Sequence, residues 1–504
     1  MVKRRNFILG TASATTAVAS GKATRLFAAN MPADITSLSA TDLSSAIRQR
    51  QISCVEVMQA YLNRIHKYNP TYNAIVSLVE DDNLLAQAAD ADRALDQNQY
   101  RGRMHGMPHA VKDLTNVAGM RTTSGSPIYA NRIAENDSLL VSRIRAQGAI
   151  FIGKTNTPEF GLGSQSYNTV FGATGSACNP ALTAGGSSGG AASGLGTHML
   201  PVADGSDMMG SLRNPGAFNN IIGFRPTSGR VPGGDVFYQR LSTSGPLGRN
   251  TEDTIRLLNT LAGATSDQPL SLSDNLPGVA EFTPHSPNVK IGWMGSFENY
   301  LPMEPGVLEL CESSLQLLED AGAVVEPCMP NFDMAQLWQA WLDLRHWSRT
   351  GAFDLYENPI TRAQLKPEYI WEIENSLELT AAQVYRAGSV RANWFLELNR
   401  MFDEYDFLVQ PTAQVFPFSK DLHWPKEING TQMDTYHRWM EVVIGGTLAG
   451  LPVVNVPVGF DAQGRPMGMQ IMGRFGEDQK VLEFAMTYES ISDHLNRRPE
   501  LVSS

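Results

Sequence analysis

Three side chains stand in contexts suited to chemistry. Lys112 ends the short apolar run 107–111, Ser187 lies inside Gly185-Gly-Ser-Ser-Gly-Gly190, and Ser211 lies inside Gly210-Ser-Leu-Arg213. Glycines around a serine allow unusual backbone angles and the close approach of a substrate. A hydroxyl is a weak nucleophile until a base takes its proton. Lysine can be that base when burial holds it neutral, since its pKa falls readily on desolvation. Taken singly, the same residues read as a surface lysine and two turn serines; together they describe a proton relay.

The elements around them set where such a relay would sit. Ser53-Cys-Val-Glu56 is a capping box within a helical stretch 41–67, where Val57, Ala60, Tyr61 and Ile65 keep helical spacing. A strand is expected over 73–79, a helix over 81–97, and a strand over 107–111 running into Lys112. Asp137 should cap a helix reaching Gln147, with a buried strand over 148–152 after it. This alternation predicts an α/β fold with a largely parallel sheet. From 160 to 248 glycine and serine dominate, which reads as an ordered, loop-built active site. Residues 304–403 read as mostly helical, followed by strands over 406–410, 453–456 and 467–472 and a helix over 477–492. Seven of the eight tryptophans fall between Trp338 and Trp439.

Two literal motif matches fail on mechanism. Gly148-Ala-Ile-Phe-Ile-Gly-Lys-Thr155 spells a phosphate-binding loop, but its variable positions are strand formers and Pro158 follows where a helix must begin. Gly185-Gly-Ser-Ser-Gly189 spells the nucleophile elbow of α/β-hydrolases, yet no strand-like run leads into it.

The ordered set Gly185-Gly-Ser-Ser-Gly-Gly190, Asp204-Gly-Ser-Asp207, Gly210-Ser-Leu-Arg-Asn-Pro215 and Gly223-Phe-Arg-Pro-Thr227 resembles the amidase signature family. The likeness extends to Gly106-Met-Pro-His-Ala-Val-Lys-Asp113, Gly153-Lys-Thr-Asn-Thr-Pro-Glu-Phe160, Gln410-Pro-Thr412, Gly450-Leu-Pro452 and Pro466-Met-Gly-Met-Gln470. It spans roughly residues 40–490 and is weakest over 300–400. The resemblance implies the amidase signature fold: one large mixed, mostly parallel β-sheet flanked by helices on both faces. It also implies a hydrolase of carboxylic amides needing no metal or organic cofactor.

Residue by residue, the resemblance implies Ser211 as nucleophile, Ser187 as the bridging serine, usually in a cis peptide linkage, and Lys112 as base. Backbone N–H groups of Met208, Met209, Gly210 and Ser211 would form the oxyanion hole. Ser188, Ser206, Asp207 and Arg213 match supporting positions, with Asp207 and Arg213 expected as an ion pair bracing the Ser211 loop. Where the family usually has Gly-Gly before the nucleophile, this chain has Met208-Met209-Gly210. The N–H groups survive that change, but two bulky side chains now border the hole. His109 replaces an aliphatic residue and, three positions from Lys112 along a strand, should face the other side.

The 504 residues are 42% apolar and 18% charged, with a formal charge of −11, which excludes collagen-like, disulfide-scaffold and wholly disordered chains. An acidic balance argues against a nucleic-acid partner. Lys3-Arg4-Arg5-Asn6-Phe7 followed by an acid-free stretch to about Ala29 reads as a twin-arginine signal peptide over 1–29, ahead of an amidase domain over 30–504. The stretch is too short for a membrane anchor. The leader contributes five of the 40 basic residues and none of the 51 acidic ones, leaving −16 on the remainder. A periplasmic or secreted enzyme, handled by the twin-arginine export machinery during targeting, is the expectation. Cys54, Cys178, Cys311 and Cys328 show no metal-site spacing; Cys311–Cys328 is the shortest pair for a disulfide, and four structural thiols are the alternative. The rival readings are the glutaminase component of a tRNA-dependent amidotransferase, a serine esterase using Ser187 with Asp and His, and a non-catalytic solute-binding protein. The tryptophans and Met208/Met209 point to an apolar or aryl substrate group, or simply pack helices. Nothing in the sequence sets an oligomeric state.

Overall fold

The computed structural model describes residues 32–233, 237, 241–497 and 499; the expected export signal at 1–29 lies outside them. Ser53 caps the helix Cys54–Tyr72 as the capping box requires: its Oγ accepts the Glu56 N–H at 3.1 Å, and the Glu56 carboxylate accepts the Ser53 N–H at 2.8 Å. Val57, Tyr61 and Ile65 are buried on one face, which packs on the helix Asp81–Asp96. The stretch expected as one helix over 41–67 is two, Ala40–Arg48 and Cys54–Tyr72, broken where Arg50 takes a positive φ. Ser138, not Asp137, caps the helix Leu139–Ala146; Asp137 instead accepts the Ala118 N–H and pairs with Arg145.

Two sheets carry the site. In the smaller, Ile150–Thr155 runs antiparallel to Ile75–Val76 and parallel to Pro108–Lys112, with a bulge opposite His109 and Ala110. The larger has eight strands in the order Val324–Pro327, Lys290–Trp293, Phe407–Pro411, Pro466–Met472, Val453–Phe460, Ile222–Arg225, Thr243–Gly248, Ala203–Asp207. Helices flank this mixed sheet. It is not mostly parallel: only the two pairings at the Val324–Pro327 edge are parallel, and the other five are antiparallel. Connection length explains the difference. A parallel neighbour needs a crossover, which the helix Val307–Asp320 supplies between Lys290–Trp293 and Val324–Pro327. The short turn at 461–465 can only join an antiparallel hairpin.

The glycine- and serine-rich segment holds more regular structure than its composition announces. Three of its stretches are strands of the main sheet, and Gly189–Gly196 is a wholly buried helix. Close approach explains the residue choice: a Cβ on Gly205 would stand 2.6 Å from Ser188 Oγ and 2.7 Å from a Leu212 methyl group. Helices Met334–Trp347, Pro367–Glu378 and Ala381–Met401 bear out the helical reading of 304–403. Four tryptophans, Trp338, Trp341, Trp394 and Trp439, are buried in this part of the molecule. All four cysteines are free thiols. Among the described residues no helix is long and apolar enough to cross a membrane.

Candidate active site

Lys112 ends its strand wholly buried, and its ammonium group is surrounded by hydroxyls. Nζ donates to Ser187 Oγ and Ser188 Oγ at 2.8 Å each and to Ser206 Oγ at 3.1 Å, and lies 3.5 Å from the Ser206 carbonyl. Ammonium has three donors, so these acceptors saturate it. Among the described residues no carboxylate touches Nζ; Asp204 accepts the Lys112 backbone N–H at 3.4 Å. Burial pushes the Lys112 pKa down to about 7, against the opposing pull of the Asp204 and Asp207 carboxylates. At neutral pH a substantial share of this lysine is a free amine able to accept a proton.

Ser187 follows a cis Gly186–Ser187 peptide bond. The turn is pinned on both sides. Ser164 Oγ donates to the Gly186 carbonyl at 2.6 Å, and the Gly189 N–H donates to Ser166 Oγ at 3.1 Å. The two serine loops are joined by the Ser188 N–H, which donates to the Ser211 carbonyl at 3.3 Å. No hydrogen bond joins Ser211 Oγ to Ser187 Oγ. The structure thus brings Lys112, Ser187, Ser188 and Ser206 into one bonded cluster and places Ser211 beside it.

The Ser211 loop is shaped by Asp207. Both Asp207 oxygens are fully employed: Oδ1 accepts the Gly210 N–H and Arg213 Nη2, and Oδ2 accepts the Leu212 N–H and Arg213 Nε, all at 3.0–3.1 Å. Burial alone would raise the Asp207 pKa, but the charges of Arg213 and Arg225 and these bonds hold it well below the usual carboxylate range. The pair expected from the sequence is therefore a buried brace. Arg213 continues outward to the Val443 carbonyl, Gln470 Oε1 and Thr447 Oγ1. Gly210 turns the chain at φ +77°, where a Cβ would stand 2.6 Å from Asn214 Oδ1.

One expectation is corrected here. The Gly210 N–H is committed to Asp207 and does not face the pocket, because the tight turn folds it back on the carboxylate that closes the loop. The N–H groups of Met208, Met209 and Ser211 have no acceptor among the described residues. Met209 packs into the core, whereas Met208 lines a cleft of about 590 Å³ together with Trp347 and Arg349. Its thioether accepts Arg345 Nη1 at 2.7 Å and Arg349 Nη2 at 3.6 Å.

Several contacts around the site are not announced by the motifs. Asp204 bridges His109 Nε2, at 3.0 Å, and the Lys112 backbone, so His109 is tied to the site although strand alternation pointed it away. Arg345 is held by Glu372 at 2.8 Å and Tyr436 at 3.0 Å, residues far from any serine motif. The Phe160 and Tyr369 rings lie 4.8 Å apart at a 40° tilt beside Gly161, whose position borders Ser187 Oγ. The two rejected motifs stay rejected. Lys154 sits inside a strand bonded to the Thr115 carbonyl and Thr122 Oγ1, and no strand leads into Ser187. Among the described residues no histidine bonds Ser187 or Ser211, and no group of three His, Cys, Asp or Glu side chains could hold a metal ion.

Comparison with known proteins agrees with this geometry. The chain matches the amidase family over residues 56–482. It is 30% identical to an acylamidase of Rhodococcus erythropolis, covering 92% of this chain and 97% of that one. It is equally 30% identical to a glutamyl-tRNA(Gln) amidotransferase subunit of Thermosynechococcus vestitus, over 91% of this chain and 99% of the other. A solved bacterial aryl acylamidase of the amidase signature family superposes with a TM-score of 0.84 at 26% identity, covering 91% and 98% of the two chains.

Proposed function

The chain belongs to the amidase signature family, and from that premise we propose an exported amidase that cleaves a small or medium carboxylic amide through a Ser211 acyl-enzyme. The observation that supports it best is the buried Lys112 amine bonded to Ser187 Oγ at 2.8 Å, with no carboxylate to keep it protonated. Neutral Lys112 accepts the Ser187 proton as Ser187 accepts that of Ser211. Ser211 Oγ then attacks the amide carbonyl, and the oxyanion is met by the N–H groups of Met208, Met209 and Ser211. Each such donor is worth about 3–4 kcal/mol in comparable chemistry. The proton returns by the same path to the leaving nitrogen as the C–N bond breaks. Water repeats the sequence on the ester, giving acid and free enzyme.

Fluorophosphonate labelling followed by intact-mass analysis tests the nucleophile. One adduct on Ser211 is expected, and it is absent from Ser211→Ala, whose amide turnover is abolished. Full activity in Ser211→Ala would overturn the assignment in favour of the Ser187 esterase reading, and no adduct on any serine would favour a binding protein. The half-buried Phe160, next to Gly161, offers an apolar or aryl group of the substrate a contact surface. Glutaminase activity appearing only with added amidotransferase partners would instead favour the amidotransferase role. Export belongs to the same proposal. Cell fractionation should find the activity outside the cytoplasm with the Arg4-Arg5 leader removed, and a cytoplasmic protein with an intact N-terminus would exclude it.

A further inference from the structure

The chemistry proposed above leaves one charge unused. Arg349 follows the helix Met334–Trp347 and lines the cleft onto which Met208 opens. It is the one charged side chain in that wall among the described residues; of its hydroxyl neighbours there, Thr243, Ser271 and Ser348 already donate to the backbone carbonyls of Ser244, Gln268 and Arg345. Arg345 nearby is neutralised by Glu372. Arg349 has no carboxylate within ion-pair distance among the described residues, and its partners are neutral. Its Nη2 reaches the Met208 sulfur at 3.6 Å, a weak acceptor, and its guanidinium hydrogen-bonds the neutral Tyr369 hydroxyl, with the ring centre 5.9 Å away. Its Nε is buried with no acceptor among the described residues. Burial and the Arg345 charge both disfavour the guanidinium cation. A cation left so poorly satisfied beside a cleft is costly unless something arrives to pair with it.

The geometry points to Arg349 as a specificity-determining residue: we infer that the amide substrate carries a carboxylate, which the Arg349 guanidinium receives while the scissile carbonyl lies at Ser211. The inference rests on the amidase reading and adds a substrate class to it. Guanidinium meets carboxylate through two parallel N–H···O bonds, which no neutral acceptor reproduces. Met208 links the two halves of the site. Its side chain contacts Arg349, and its backbone N–H, three residues before the nucleophile, is one of the oxyanion donors proposed above. The cleft volume is typical of small-molecule sites.

Matched anilides test it. On the acyl side, glutaryl-4-nitroanilide is compared with pentanoyl-4-nitroanilide; on the amine side, N-acetyl-4-aminobenzoate is compared with N-acetyl-4-toluidine. In at least one pair the carboxylate member should be favoured about tenfold or more in kcat/KM, mainly through KM. Arg349→Gln should cut that preference by about the same factor, and Arg349→Lys should restore part of it. Glutarate, the product acid, should bind the wild type by calorimetry and bind Arg349→Gln about tenfold more weakly. Equal rates within both pairs, or a preference that survives Arg349→Gln, would overturn the inference while leaving the amidase standing. If no anilide is cleaved the amidase reading fails, and the glutarate titration alone decides whether Arg349 is a carboxylate site.

Discussion

Arg213 and Asp207 meet fork to fork, Nε on Oδ2 and Nη2 on Oδ1, both at 3.0 Å and both side chains wholly buried. The same carboxylate closes the Ser211 turn, so one ion pair sets both the stability and the shape of the nucleophile loop.

Removing the cation should therefore be expensive. Arg213→Met leaves Asp207 with Arg225 alone, at 3.4 Å, and the Val443, Gln470 and Thr447 acceptors unmatched, at a cost of about 3–5 kcal/mol by denaturant unfolding. Arg213→Lys should recover little, since an ammonium cannot reproduce the fork. The pH dependence follows from the depressed Asp207 pKa. Its contribution is fully present above the unfolded carboxylate value of about 4 and is lost as the pH falls below it. Acid unfolding of wild type and Arg213→Met should accordingly converge at low pH.

Lys112 should impose the acid limb of the rate profile. Below about 7 it carries a proton and cannot take the one from Ser187; above that value it can. kcat/KM should rise through a midpoint near 7 and level off. Lys112→Ala should lose about 10²–10⁴ in rate and flatten that limb. A midpoint unchanged in Lys112→Ala would assign the titration to another group.

Gly210→Ala separates loop shape from loop chemistry. The substitution keeps every backbone donor but places a Cβ at φ +77° against Asn214, costing about 1–3 kcal/mol. Thermal unfolding should show that modest loss. Acylation of Ser211, read from the burst phase, should fall further because the Met208, Met209 and Ser211 donors are re-aimed.

Met208→Ala should widen the substrate range. The side chain fills cleft volume while only its N–H serves the oxyanion, so trimming it favours bulky amides over acetamide by about tenfold in kcat/KM. An unchanged ratio would mean that the thioether does not limit access.

The serine motifs and Lys112 were legible because glycine-flanked polar residues in a fixed order leave a strong local signature, and the Ser53 capping box was equally plain. The bond of Asp204 to His109 was not, nor were Arg345, Glu372 and Arg349. Each acts across a distance in sequence that no periodicity encodes, as with Asp204 on His109 or Arg345 on Tyr436. The strands Ala203–Asp207 and Thr243–Gly248 escaped for another reason. They are buried against close backbone neighbours that demand glycine, so the alternating apolar pattern of a half-exposed strand never forms. The parallel bias was overestimated because helix-strand alternation governs the N-terminal third, whereas the main sheet is closed by antiparallel partners.

The reach of Arg213 sets an order of events during synthesis. Its partners Val443, Thr447 and Gln470 lie 230 to 257 residues downstream, so a nascent chain emerging from the ribosome already displays Lys112, Ser187 and Ser211 while the brace of the nucleophile loop is unfinished. Such distant pairings are slow to form, since loop closure must precede any gain from the contact. Full bracing of the Ser211 loop therefore awaits the docking of the strand Pro466–Met472, which carries Gln470.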